Sequence, residues 1–235
     1  MKVQNNIPME PLITRQFRLW EQAFKKSAVT RKESTLPSIT ISKELGSQGE
    51  EFALALSQRL GWKIFDRELV EYIAQNAHVR QNMVEMFDEK TQNEIHNWVF
   101  TLLDHHALGS DKYFKHLVTT ITTIGEQGRA IILGRGANFI LPCHRSLKLR
   151  VTAPLQHRID FIMKKFEIGE KEAFTRVHLT DKERQAFLHR FFHHDFEEVS
   201  SYDLVLNLGT LSLSDAENIV IQALKQKFSQ FKDWQ

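Results

Sequence analysis

Gly46-Ser47-Gln48-Gly49 is the stretch whose composition first suggests chemistry. A short β-branched run, Ile39-Thr40-Ile41, leads into it, and an apolar pattern of helical spacing follows. Strand, glycine-rich turn and helix together aim backbone N–H groups and a helix N-terminus at one point, which makes an anion site. In a nucleotide-binding protein that anion is phosphate. The full phosphate-cradle pattern G-x-x-x-x-G-K-[ST] also needs a Lys for the outer phosphates and a hydroxyl for Mg²⁺. Here one register puts Gly49 at the Lys position, and the next puts Glu50 there with Glu51 beside it. Two carboxylates oppose polyphosphate electrostatically, although they also suit a helix N-terminus. The loop alone therefore leaves phosphate binding and an ordinary βα turn both open.

Other chemistries find less support. His189 and His193 lie four apart, with His194 adjacent, but no Cys accompanies them and the Glu of H-E-x-x-H is missing, so no metal site is expected. No G-x-S-x-G elbow marks a hydrolase. No G-x-G-x-x-G opens the first helix. Cys143, the single cysteine, excludes an internal disulfide and fits a reducing compartment.

The elements that would position these residues follow from periodicity. Phe52, Leu54, Ala55, Leu56 and Leu60 outline a buried helix face, stopped at Gly61. Residues 62–65 form a short strand ending at Asp66-Arg67, and a helix runs from Arg67 to about Asn76. Asp66 is a natural N-cap there as well as a candidate ligand. Residues 79–127 are helical throughout, with a break at Leu108-Gly109-Ser110. So long a helical stretch between strands predicts a separate flap or lid within it. Ala130-Ile131-Ile132-Leu133 is a strand buried on both faces, ending in Gly134-Arg135-Gly136. Leu147–Val151 is the next strand, closed by Ala153-Pro154, and residues 155–198 are helical and heavily charged. The last strand is Tyr202–Leu206 with Asn207 after it. The final helix starts at Ser214, with Glu217 completing a capping box.

Five strands alternating with helices give an α/β fold, a doubly wound and mainly parallel sheet with a helical insertion. Ligands in such sheets sit beyond the C-terminal strand ends. Gly46–Gly49, Asp66-Arg67, Gly134-Arg135, Ala153-Pro154 and Asn207 are thus expected to converge on one crevice. Before this domain, a helix from Glu10 to about Lys26 and a polar linker over 27–37 are expected, the helix available for packing on the domain or for self-association into a homo-oligomer.

Composition bounds the partners. The 31 basic and 29 acidic side chains leave a formal charge of +2, which gives no reason to propose a nucleic acid or a membrane. No apolar run reaches the ~18 residues of a membrane span. The opening residues carry no leader-like apolar core, and a cytoplasmic protein is expected.

The segments ITISKELGSQGEEFA, IFDRELVEYIA, AIILGRGANFIL, VTAPLQHRI, TDKERQAF and YDLVLNLGTLSL occur in the order found in the cytidylate kinase-like family. From about Ser38 to Leu224 the chain resembles that family of P-loop kinases, with a degenerate loop. The resemblance implies transfer of the γ-phosphoryl of ATP, with Mg²⁺, to CMP, dCMP or a related acceptor. It implies that Gly46, Ser47, Gln48 and Gly49 wrap the donor phosphates. Asp66 and Arg67 would open the monophosphate-binding helix, and Arg135 would lie near the acceptor phosphate. Arg158 would begin a mobile lid over about 155–198. In Asp181-Lys182-Glu183-Arg184 the carboxylate would hold the cytosine and ribose edge and Arg184 a phosphate. Arg135, Arg158, Arg184 and Lys182 could together neutralise a transferred group, since arginines clamp phosphate bidentately. Ser47 or Glu51 would offer oxygen to Mg²⁺. This chain departs from the family's usual Arg at Glu50 and Gly at Gln48, and from the Lys that cytidylate kinases proper carry at Gly49. A catalytically impaired nucleotide-binding module, a sensor or scaffold, is the alternative those departures favour.

Overall fold

The computed structural model describes residues 37–105, 111–195 and 198–230. The helix expected at Glu10–Lys26, nearly all of the linker and the Leu108–Ser110 break lie outside the described residues.

The chain opens with β1 (Ser38–Lys43) and α1 (Gly49–Leu60), then β2 (Lys63–Phe65). Four helices follow: α2 (Arg67–Gln75), α3 (Ala77–Glu85), α4 (Glu89–His105) and α5 (Lys112–Gln127). Next come β3 (Ala130–Leu133), the short α6 (Ala137–Ile140) and β4 (Ser146–Thr152). Two helices, α7 (Leu155–Phe166) and α8 (Glu170–Phe192), precede β5 (Leu204–Asn207) and α9 (Leu213–Lys227). The sheet has five strands in the order β2-β3-β1-β4-β5, every neighbouring pair parallel. All strand C-termini therefore open on one edge, with β1 in the middle.

The alternation of strand side chains divides the interior into two cores. Ala130 and Ile132 face one core, with Phe65, Phe114, Ile121 and Phe192. Ile131 and Leu133 face the other, with Ile39, Ile41, Leu147, Leu149, Val151 and the inner faces of α1 and α9. The helical stretch after β2 is no separate flap. Met83, Phe87, Ile95, Val99 and Leu103 lie in the same core as Phe65 and Ile132: α5 packs on β3, and α2, α3 and α4 pack on α5. A third, smaller core joins Ile159 and Ile162 of α7 to Ala173 and Val177 of α8.

Several local expectations shift. In α1 the buried residues are Phe52, Ala53 and Leu56, while Leu54 is 53% exposed. The run Phe52-Ala53-Leu54-Ala55-Leu56 offered apolar residues on every side, so its register was ambiguous. α9 is capped by Ser212, not Ser214. Its Oγ accepts from Asp215 N at 3.1 Å and donates to Asp215 Oδ2 at 2.6 Å. Glu217 instead lies 3.5 Å from Arg59. The last strand begins at Leu204 rather than Tyr202. The charged stretch after β4 breaks at Glu167, whose backbone is left-handed.

Candidate active site

Two neighbouring centres form at the open edge of the sheet. The first is the glycine turn after β1. Gly46 has φ +81°, and a Cβ there would fall 2.4 Å from the Arg158 carbonyl oxygen, so the turn and the start of α7 touch through backbone. Ser47 Oγ donates to the Glu44 carbonyl at 2.9 Å, and Gln48 adopts a left-handed conformation before α1. Gln48 Nε2 lies 2.9 Å from His157 Nε2.

Ion pairs close this turn from above. The Glu44 carboxylate accepts from Arg150 at 3.0 Å and Thr152 Oγ1 at 2.6 Å, and lies 3.6 Å from Arg158 Nε. Arg158 in turn pairs with Asp181. Asp181 Oδ1 accepts the Leu45 backbone N–H at 3.2 Å, and Arg184 donates to the Lys43 carbonyl at 2.8 Å. Arg150 and Arg158 are buried, and a buried charge is tolerated only when paired. Alternating charges satisfy that condition here. Farther along, Lys43 bonds Glu50 at 2.6 Å, and Lys165 reaches Glu50 at 3.3 Å and Glu51 at 2.7 Å. The carboxylates that looked hostile to phosphate are thus already neutralised. Burial alone would raise the Glu50 pKa, but Lys43 and Lys165 outweigh it and hold the carboxyl below its usual range.

The second centre is a cleft of about 610 Å³. Ser42 and Lys43 border it from β1, Asp66 and Arg67 from the end of β2, Gly134 and Arg135 from the end of β3, and Asn138 from α6. Thr180, Glu183, Arg184 and Phe187 of α8 roof it. Gly134, Arg135 and Gly136 all have positive φ, at 72°, 54° and 67°. A non-glycine residue in that region costs about 1–3 kcal/mol. The strain at Arg135 places its guanidinium beside Glu71 and 4.7 Å over the Phe187 ring. Arg135 Nε and Asn138 Nδ2 are buried with no hydrogen-bond partner. Unpaired buried donors lining a cleft are what an anionic or carbonyl-bearing ligand would satisfy.

Charge in the cleft is mixed. Lys43, Arg67, Arg135 and Arg184 face Glu50, Asp66, Glu68 and Glu183. Burial, then the Arg184 guanidinium, lowers the Lys43 pKa. Burial likewise lowers those of Arg135 and Arg184. Asp66 is pushed up by burial, although its carboxylate also accepts the Leu69 N–H at 2.8 Å as the cap of α2.

The expected single crevice is therefore divided. Asp66, Arg67, Arg135 and Arg184 border the cleft. Gly46, Ser47, Gln48, Gly49, Arg158 and Asp181 belong to the adjoining turn and its clamp. Asp181 sits inside α8 rather than capping a helix, and Lys182 is exposed and borders neither centre. Pro154 and Asn207 also stay outside. Pro154 packs on Gly209, and Asn207 Oδ1 accepts the Gly209 N–H at 2.9 Å. His189 and His194 lie against Asp195 and Glu198, and His193 ends α8, so the three do not share a helix face. Lys43, Glu44, Arg150, Asn138 and Phe187 were not singled out from sequence. The available signal was charge in apolar surroundings: Arg150 within an apolar strand needs a buried partner, and Glu44 supplies it.

Known proteins resemble this arrangement to different degrees. The model of the cytidylate kinase-like family matches residues 38–210, most of the chain. The crystal structure of an uncharacterized protein from Eubacterium ventriosum is 20% identical, with TM-score 0.63, covering 82% of this chain and 99% of that one. Shikimate kinase from Bacteroides thetaiotaomicron superposes less well, at TM-score 0.43 and 10% identity over 80% of this chain and 98% of that one. A segment of 99 residues, 42% of this chain, is 26% identical to uronate isomerase of Corynebacterium glutamicum. The chain spans 19% of the length of that curated relative. With the glycine turn, the parallel sheet and the family match in agreement, the chain belongs to the cytidylate kinase-like family.

Proposed function

We propose that this protein is a nucleoside monophosphate kinase-like phosphotransferase, moving the γ-phosphoryl of ATP to CMP, dCMP or a related acceptor. The observation that carries the reading is the cleft where Lys43, Arg67, Arg135 and Arg184 gather beside the glycine turn. Phosphoryl transfer requires alignment and charge neutralisation more than covalent help from the protein. The acceptor's phosphate oxygen forms the new P–O bond, the β–γ bridging bond breaks, and its electron pair leaves on ADP. Arg135 and Arg184 hold the acceptor phosphate, Phe187 offers a face to its base, and Asp66 and Glu183 accept from amino or ribose groups. The glycine turn and α1 N-terminus face the donor, with Arg158 joining once the clamp opens.

Mg²⁺ arriving with ATP would neutralise phosphate charge. Among the described residues no group of three or more His, Cys, Asp or Glu is placed to hold a metal. Ser47 Oγ and Glu51 are the oxygens at the turn. That sparse set fits an ion held mainly by phosphate and water, as Mg²⁺ commonly is.

A second reading, a nucleotide-binding module without turnover, is favoured by one feature. Asp181 already occupies the Leu45 N–H, and Arg158 is paired within the clamp. Titration calorimetry with ATP·Mg²⁺ and separately with CMP, followed by a coupled ADP-release assay, separates the two. Binding of both with ADP release is expected. Monophosphate binding without ATP binding would reject the kinase and leave the module.

A further inference from the structure

The loop lacks a lysine where its helix begins, yet the space beside that position is not empty. A Cβ built on Gly49 would lie 2.8 Å from Lys43 Cβ and 3.0 Å from its Cδ. The stem of Lys43, rising from the end of β1, runs through the volume that a side chain at position 49 would need. Lys43 borders the cleft, and its ammonium is held by Glu50 at 2.6 Å. We propose that Lys43 is the cation that meets the transferred phosphoryl group, delivered from the strand before the turn instead of from the helix after it. The proposal rests on the phosphotransferase reading and assigns that site its missing charge.

Glu50 completes the device. It pairs with Lys43 while no phosphate is bound, and Lys165 already stands 3.3 Å from its second oxygen. An incoming phosphate can therefore take the Lys43 ammonium without leaving Glu50 uncompensated. Burial and Arg184 both lower the Lys43 pKa, so a second anion beside it would favour its charged form.

The test uses the full chain and measures binding of ATP·Mg²⁺ and of tripolyphosphate alone, with thermal melting of each variant as the check on folding. Lys43→Met, which keeps the stem, should weaken both ligands by roughly tenfold to a hundredfold, the range for hydrogen bonds to charged groups. Glu50→Gln should tighten tripolyphosphate. Gly49→Lys alone should disturb the turn, because two stems claim one space. Lys43→Gly with Gly49→Lys should restore binding to near wild type. Wild-type affinity in Lys43→Met, or a double variant as weak as Lys43→Gly, overturns the role of Lys43 and leaves the kinase reading intact if wild type still releases ADP. Failure of wild type to bind either ligand removes both.

Discussion

Asp66 performs two tasks that pull against each other. As the cap of α2 it accepts the Leu69 N–H, while its place in the cleft buries the carboxylate and raises its pKa. A carboxyl with a raised folded-state pKa binds protons more readily when folded. Its contribution is therefore fully present below the unfolded pKa of about 4 and is lost as pH rises through the folded value. Asn caps helices about as well as Asp. Asp66→Asn should thus keep or improve stability at neutral pH and flatten the decline from acid upward. Chemical denaturation across a pH series measures this, and a less stable Asn variant at neutral pH would show the charge to be stabilising. At this scale Arg135 was legible, because a lone arginine directly after a fully apolar strand end stands out. Lys43 was not, because a loop motif is counted from its glycines, and a stem arriving through space leaves no spacing to read.

Among the elements, the glycine turn and α7 form one unit through the contact at Gly46. Gly46→Ala would need a side chain at φ +81° and would drive its Cβ into the Arg158 carbonyl. Backbone gives little, so a loss of about 1–3 kcal/mol from the conformation alone is expected, with loosening of α7 against the turn added. Equilibrium denaturation reads the first, and faster proteolysis within α7 the second. An unchanged midpoint would mean that the turn relaxes freely. The strands were legible because β-branched and apolar runs bounded by glycine admit few other readings. The face of α1 and the cap of α9 were not. A continuous apolar run carries no phase, and Ser212 and Ser214 each have an acidic residue three positions on, so only packing chooses between them.

For the whole molecule, Phe114 shows how the helical layer is anchored. It is fully buried on α5, with ring centroids 5.2 Å from Phe191 and 5.5 Å from Phe192 of α8. Phe114→Ala should cost about 3–5 kcal/mol, measured by urea denaturation. It should also weaken acceptor binding, since Phe187 roofs the cleft from the same end of α8. The doubly wound sheet was evident from the alternation of elements. That the helices after β2 join the main core by packing on α5, and do not stand apart, was not, because an amphipathic stripe does not say which surface it meets.

One consequence of α8 reaches across all of this. It is a continuous rod of 23 residues, about 34 Å long, with Ala173 and Val177 rooted in the small core beside α7 and Leu188, Phe191 and Phe192 rooted in the large one. Arg184 and Phe187 lie between the two anchorages. A stiff lever seated at both ends cannot tilt over the turn without shifting the ceiling of the cleft, so the clamp on the turn and the roof of the cleft share one fulcrum.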